Sequence, residues 1–89
     1  MLKYKKNLNG YEVTQNNNTV AYIFNNKEPI DKVIDKLNNF IDIQIKKGAT
    51  QINVRNPARN GGKTEDYGMI TIGCFNESGD FICGEGFIL

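Results

Sequence analysis

A single amphipathic helix limits what this 89-residue chain can fold into. Apolar residues recur every three or four positions along one stretch, which is the spacing of one helix face. They are Ile30, Val33, Ile34, Leu37, Ile41 and Ile45, whereas Ile43 falls on the opposite side. Pro29 suits the first turn of a helix, and Gly48 suits the position just after its end. The pattern predicts one helix over about residues 27–47.

Runs rich in β-branched and aromatic residues flank this helix on both sides. Two precede it and three follow it, at Tyr11–Gln15, Thr19–Phe24, Thr50–Arg55, Tyr67–Phe75 and Asp80–Ile88. A chain this short has room for one small core, so residues 1–89 are expected to form a single domain. The predicted fold class is α+β, a single helix packed on an antiparallel sheet in the order ββ-α-βββ.

The turn between the last two runs predicts the pairing of their residues. Its sequence favours a bulged loop with Gly79 in the left-handed conformation, which pairs Phe75 with Phe81 and Cys74 with Ile82. One face of this hairpin would pack on the helix, and the other would be apolar and aromatic. We expect on that second face Tyr67, Met69, Thr71, Phe75, Phe81, Cys83, Glu85 and Phe87. Either the N-terminal segment covers it, or it is exposed as an interface.

A long polar connection, Arg55–Tyr67, precedes that hairpin, and connections of this length are often functional or disordered. Its Gly61–Thr64 segment matches the end of a phosphate-binding loop. However, Pro57 takes the place of the first glycine of that motif, and two acidic residues follow where a helix is needed. The basic residues that remain candidates to bind an anion or an acidic surface are Arg55, Arg59 and Lys63.

Charge is unevenly distributed along the chain. Residues 1–63 hold eleven Lys and Arg against five acids, a net +6, whereas residues 64–89 hold five acids and no basic residue, a net −5. The total of +1 argues against general binding of nucleic acid or membrane, although segregated charge steers charged partners. The sequence has no apolar run long enough to span a membrane and no secretory signal, so a cytoplasmic location in the producing or host cell is expected.

No set of residues suited to catalysis or metal binding is apparent. The chain has no histidine, which removes the commonest general base and the usual partner of a nucleophilic cysteine. Its two cysteines, Cys74 and Cys83, are too few for a zinc site and are expected to be free and buried on opposite faces of the hairpin. We therefore expect no enzyme, no cofactor and no metal.

The leading hypothesis is a small non-enzymatic binding protein that occupies a surface of a larger macromolecule, most plausibly a protein. Size and composition are those of small inhibitors encoded by phages and other mobile elements, including inhibitors of host defence proteins. Self-association into a homo-oligomer through the aromatic face is also left open. The residues predicted to bind the partner are Arg55, Arg59, Lys63, Tyr67, Phe75, Phe81 and Phe87.

Two alternatives use the basic residues instead. In the first, Lys3, Lys5 and Lys6 bind nucleic acid together with the 55–63 loop, while Tyr4 or Tyr11 stacks on bases. In the second, an oligomer sequesters a small anionic ligand in pockets that recruit Arg and Lys side chains.

Overall fold

The computed structural model describes residues 1–89, apart from the side chain of Asn60. Its elements are β1 (Lys3–Lys6), β2 (Tyr11–Gln15), β3 (Asn18–Ile23), α1 (Ile30–Lys46), β4 (Gln51–Arg55), β5 (Ala58–Arg59), β6 (Thr64–Glu65), β7 (Met69–Phe75) and β8 (Phe81–Ile88). The strands pair antiparallel in three small sheets, β1-β2-β3, β4-β7-β8 and β5-β6. The α+β class is confirmed, but the order ββ-α-βββ is matched only in part because β1, β5 and β6 are additional.

The helix begins three residues later than predicted. Asn25 has a left-handed backbone (φ 61°), and Pro29 occupies the N-cap, where its carbonyl accepts hydrogen bonds from the amides of Lys32 and Val33. At the other end Gly48 has a φ of 105°, which confirms the predicted glycine terminus. The helix is too short and too polar to cross a membrane, and no other helix of the described residues is long and apolar enough to do so.

The buried face of α1 differs from the predicted one in its last turn. Ile45 is 52% exposed, so its assignment to the buried stripe is wrong, whereas Gln44 is only 5% exposed. Gln44 follows Leu37 by seven residues and therefore continues the centre of the buried face. Ile43 is half exposed, in agreement with its predicted position on the other side. The helix residues that are buried are Val33, Ile34, Leu37, Asn38, Ile41 and Gln44.

One asparagine side chain joins the two larger sheets. Asn56, just after β4, accepts a hydrogen bond from the amide of Tyr22 (2.7 Å) and donates to the carbonyls of Tyr22 and Met69 (2.9 Å each). Near the other ends of the strands, the side chain of Gln15 donates to the carbonyl of Ile52 (3.2 Å). These contacts place β3 beside β4, and the two strands run in the same direction.

A second asparagine holds the N-terminal segment in place. Asn38 of the helix accepts a hydrogen bond from the amide of Leu2 (2.8 Å) and donates to its carbonyl (3.0 Å). Leu2 is thereby buried, and the strand that follows it, β1, pairs with β2 at the edge of the first sheet. The N-terminal segment therefore extends the first sheet and does not cover the second one.

The β7–β8 hairpin contains a bulge that changes its register. Gly79 has a φ of 85° and Phe75 pairs with Phe81, both as predicted. An irregularity next to this pair leaves Ile82 as an extra residue, so Cys74 pairs with Cys83. The predicted pairing of Cys74 with Ile82 is wrong. Because side chains alternate between faces, every residue of β8 beyond the bulge lies on the face opposite to the predicted one.

Candidate binding surface

The side of the β4-β7-β8 sheet that faces away from α1, called here the outer face, carries the candidate site. Along β7 the core-facing residues Ile70, Ile72 and Cys74 are completely buried, and the residues between them are only partly so. The observed register then assigns residues of β4 and β8 to the same side as those intervening residues. The outer face consists of Gln51, Asn53, Arg55, Met69, Thr71, Gly73, Phe75, Phe81, Gly84, Gly86 and Ile88.

A groove of about 360 Å³ crosses this face, and we call it the glycine groove. Gly73, Gly84 and Gly86 line it, and the absence of their side chains leaves room for the neighbouring side chains of Phe75, Phe81 and Met69. Its lining also includes Asn53, Arg55, Thr71 and Glu85, so it holds one basic and one acidic residue. Arg55 also lines a second cavity of about 350 Å³ on the side of β3 and the β5–β6 hairpin. A single arginine thus lies between two concave regions.

Two phenylalanines form an apolar wall at one end of the glycine groove. The rings of Phe75 and Phe81 pack edge to face with their centres 5.8 Å apart. A side-chain carbon on Gly84 would lie 3.1 Å from the ring of Phe81, so the ring covers this glycine. Even so, Phe81 is 65% exposed, and Ile88 on the same face is 82% exposed. Exposed large apolar side chains around a concave surface are typical of a protein interface.

Positive charge lies beside the groove. Arg55, Arg59 and Lys63 are exposed, and none of them forms an ion pair with any side chain that the structure describes. The length of the segment that carries Arg59 and Lys63 favours a loop without secondary structure. The structure differs, because β5 pairs with β6 within this segment. The side chains of these residues are therefore presented by a short hairpin, next to the larger sheet.

Tyr67 belongs to a different aromatic cluster from the two phenylalanines of the wall. Its ring packs against Phe24 (centres 4.9 Å apart) and, edge to face, against Tyr22 (5.9 Å). The carbonyl of Tyr67 also accepts a hydrogen bond from the amide of Phe24. The structure thus places Tyr67 against the end of β3, and Tyr22 stays partly exposed there.

Phe87 lies on the helix side of the sheet, so its predicted place on the aromatic face is wrong. Its ring packs edge to face against Phe40 of α1, with the centres 5.5 Å apart. Cys83 and Glu85 share this side with Phe87, again contrary to the prediction. The bulge at Ile82 is the cause, because one extra residue exchanges the two faces of the strand that follows it. We leave Phe87 out of the candidate surface.

The nucleic-acid alternative combines two separate regions. Its 55–63 loop includes Arg55 of the glycine groove, whereas its lysines and tyrosines lie on β1 and β2. Lys5 forms an ion pair with Glu12 (3.8 Å), and the ammonium of Lys6 lies 4.8 Å from the centre of the Tyr11 ring. Tyr4 packs against Tyr11 and donates its hydroxyl to Asp31, and this hydrogen bond is the main reason why the pKa of Tyr4 is raised. Both tyrosines are engaged within the chain.

The two cysteines are free and face each other across the hairpin, which corrects their predicted placement on opposite faces. Cys74 is completely buried, and Cys83 is half-buried. Among the described residues, no group of three or more Cys, Asp or Glu side chains is arranged to hold a metal ion.

We expect the two thiols to differ in reactivity. Burial, and secondly the charge of Cys83, raise the pKa of Cys74. At a given pH, a smaller fraction of Cys74 is therefore the reactive thiolate than in an exposed, unperturbed cysteine. Brief treatment of the native protein with iodoacetamide at pH 8 should modify Cys83 and spare Cys74. Mass spectrometry of proteolytic fragments measures this, and labelling in guanidinium provides the control in which both react. Equal labelling of both thiols in native protein would contradict the burial of Cys74.

Sequence reasoning did not find the glycine groove. The register predicted from the turn places Gly84 and Gly86 on the helix side of the hairpin, whereas the observed register places them on the outer face. The signal was present, since Gly73, Gly84 and Gly86 are clustered in two neighbouring strands, but it needed the correct register. Asn53 also went unnoticed, because an isolated polar residue in a strand has no specific pattern.

Comparison with known proteins adds no functional information. No protein-family model, curated protein or solved structure matches this chain significantly. The chain's own geometry is therefore the basis for assigning a role to the outer face.

Proposed function

We propose that this chain is a non-enzymatic binding protein whose outer face docks on an acidic surface of a partner protein. The observation that supports this most directly is the glycine groove, with its exposed phenylalanine wall and the adjacent Arg55. A domain of this kind acts by covering a functional surface of its partner. Inhibition of a host protein, including a defence protein, by a product of a phage or other mobile element is the biological form that we propose for it.

The shape of the groove suits an apolar side chain of the partner. Such a group would pack against the rings of Phe75 and Phe81, which lie over Gly73 and Gly84. The rings of Phe75 and Phe81 would shield it from water on one side. Docking would also bury much of Phe81, and large aromatic side chains in the centre of an interface contribute most to affinity.

The three cations Arg55, Arg59 and Lys63 suit an acidic partner, and they outnumber Glu85, the one acidic residue in the lining of the groove. A guanidinium group binds carboxylates through two parallel hydrogen bonds, and Arg55 is the residue placed to do so at the groove itself. Arg59 and Lys63 lie on the neighbouring hairpin, where charges mainly accelerate association. The proposal therefore assigns Arg55 and Phe81 to the centre of the interface, and Arg59 and Lys63 to its margin.

Affinity purification of the tagged protein from its host, with and without nuclease, identifies the class of partner. We expect a protein to remain bound after nuclease treatment. Against that purified partner, Phe81→Ala and Arg55→Glu should each weaken binding by about 30-fold, which corresponds to roughly 2 kcal/mol for a residue central to an interface. Ile45→Ala and Lys46→Glu are matched controls on the helix, because they remove an exposed apolar group and reverse a charge elsewhere.

Several results would contradict the proposal. If nuclease removes everything but the tagged protein, the chain binds nucleic acid, and the lysines of β1 become the residues to test. Equal losses in the control variants would show that the outer face is not the interface. If the double variant Arg59→Glu, Lys63→Glu binds as well as the native chain, the hairpin is only a connection and its two cations are removed from the site.

A further inference from the structure

The second sheet ends in an unpaired strand. In the order β4-β7-β8, strand β8 pairs with β7 on one side, and on its other side no strand of the described chain pairs with it. The edge is eight residues long, Phe81–Ile88. An open edge of this length presents a row of backbone amides and carbonyls that are able to pair with another strand.

The hydrogen-bond pattern identifies the backbone groups that point outward. The amide of Leu89 donates to the carbonyl of Gly68 (2.9 Å), so Leu89 directs its backbone groups toward β7. In an antiparallel ladder this orientation repeats at every second residue, which includes Phe87 and Glu85. The residues between them direct their amides and carbonyls toward the open edge. They are Gly84, Gly86 and Ile88.

Two of those three residues are exposed glycines, which have no side chain of their own beside the outward groups. Strand β1, the edge strand of the other large sheet, is different. Its sequence is Lys-Tyr-Lys-Lys, and all four residues are exposed. Lysines on an edge strand are a common protection against pairing with other chains. Strand β8 has no Lys, Arg or Pro, and its one charged residue is Glu85.

An apolar surface lies beside the open edge on the helix side. Phe87 and Phe40 pack together there, and both are only half-buried. Ile43 follows Phe40 by one helical turn and is half exposed. A strand added to β8 would direct every second side chain toward this surface, which suits apolar residues at those positions.

Glu85 argues against a second copy of this chain as the occupant. Two copies of β8 related by a two-fold axis would pair antiparallel, and residues opposite each other would then lie on the same face. If both glycines form hydrogen bonds across this pair, the axis passes next to Gly84, Glu85 or Gly86. Each of these registers brings the two Glu85 side chains onto the same face within roughly 8 Å of each other, and like charges at that position are unfavourable. A basic residue of another protein would instead be attracted.

We propose that β8 binds an extended segment of another protein by strand addition, with a Lys or Arg of that segment beside Glu85. Apolar residues two positions before and after this cation contact the surface formed by Phe40, Ile43 and Phe87. The main-chain hydrogen bonds provide affinity, and the alternate side chains provide specificity. The site uses the open edge of β8, whereas the glycine groove lies on the outer face, and the two share Gly84, Glu85 and Gly86. The inference does not depend on the function proposed for the outer face.

Amide exchange and peptide titration test this inference by NMR. In the free protein the amides of Gly84 and Gly86 should exchange faster than those of Glu85 and Phe87. The probe is the blocked peptide Thr-Val-Thr-Lys-Thr-Val-Thr, which carries its lysine and both valines on one face. Up to about 1 mM peptide, we expect chemical-shift changes and slowed exchange at Gly84, Gly86 and Ile88. The same peptide with Glu in place of Lys should bind roughly five-fold more weakly.

Two pairs of variants separate the edge from the rest of the fold. Gly86→Pro removes an outward amide and leaves the β7 ladder intact, so it should abolish peptide binding. Gly86→Ala adds a carbon at the same place, displacing only the flexible end of Met69, and should keep binding. Glu85→Lys should reverse the preference between the two peptides, and Glu77→Lys in the turn should not. The Glu85 variants decide the matter if Gly86→Pro does not fold.

Three results would overturn the inference. The first is a folded protein whose Gly84 and Gly86 amides do not respond to the peptide at about 1 mM. The second is unchanged binding by Gly86→Pro or an unchanged peptide preference in Glu85→Lys. The third is protection of both glycine amides without peptide, together with the mass of two chains, because a second copy would then occupy the edge.

Discussion

Replacing Asn56 with leucine is expected to lower the free energy of unfolding by about 3 kcal/mol. Leucine has nearly the shape of asparagine, but it cannot form the hydrogen bonds that the buried amide makes. The change leaves the amide and carbonyl of Tyr22 and the carbonyl of Met69 without partners. These bonds join β3 to the second sheet, so the substitution acts on the junction of the fold. Urea unfolding followed by circular dichroism measures the loss.

Asn38→Leu is the matched control, since it removes the same type of paired hydrogen bonds but only to Leu2. Its expected cost is smaller, about 2 kcal/mol, because only the N-terminal segment is released. A stability of Asn56→Leu within about 0.5 kcal/mol of the native chain would contradict the role of Asn56 at the junction.

Asn56→Asp separates the donated from the accepted hydrogen bonds. The aspartate still accepts from Tyr22 but, when ionised, faces carbonyl oxygens that it does not donate to, so its pKa in the folded protein is expected to be raised. A carboxyl group whose pKa is raised on folding binds its proton more tightly in the folded state. The loss of stability relative to the native chain should therefore diminish as the pH falls from 7 to 4. A loss that does not change with pH would contradict this explanation.

Leu37→Ala is expected to have a similarly large effect, about 3 kcal/mol, because it creates a cavity below the centre of the helix. Leu37 is completely buried and lies in the middle of the one face that α1 presents to the core. A domain of this size is stable by only about 5–15 kcal/mol, so the midpoint of thermal unfolding should fall by roughly 15 °C. Calorimetry or circular dichroism on heating measures this fall.

Ile45→Ala provides the control in the same helix. The sequence pattern predicts Ile45 in the buried stripe, whereas the structure exposes it, so its truncation should change stability by only about 0.5 kcal/mol or less. A large loss for Ile45→Ala would mean that the last turn of α1 is rotated relative to the structure. The pair of variants therefore tests the orientation of the helix as well as the core.

The parts of the fold that sequence reasoning predicted are the ones set by local chemistry. The helix follows from apolar spacing, its end from Gly48, and the last turn from Gly79 in its left-handed conformation. Two adjacent asparagines, Asn16 and Asn17, form the left-handed turn between β2 and β3, a conformation that asparagine tolerates. At these turn and helix-end positions the backbone is left-handed, and glycine or asparagine adopts that conformation more readily than other residues.

The parts that it did not predict depend on contacts between distant residues. The bulge at Ile82 has no sequence signal, because β8 is apolar at both odd and even positions and either face would suit the core. Strand β1 is rich in lysine and forms because Leu2 is held by Asn38, which lies 36 residues away. The candidate site combines both kinds of feature, since Phe81 follows from the predicted turn, and the glycine groove only from the observed register.

The junction between the sheets also bears on how this protein ages chemically. Asparagine deamidates when the backbone nitrogen of the next residue attacks the side-chain carbonyl. The attack releases ammonia and closes a five-membered imide ring, which water then opens to aspartate or isoaspartate. Asn56 is followed by Pro57, whose nitrogen carries no hydrogen and is blocked for this attack. The side-chain amide that links β3 to β4 and β7 is therefore resistant to this route of deamidation.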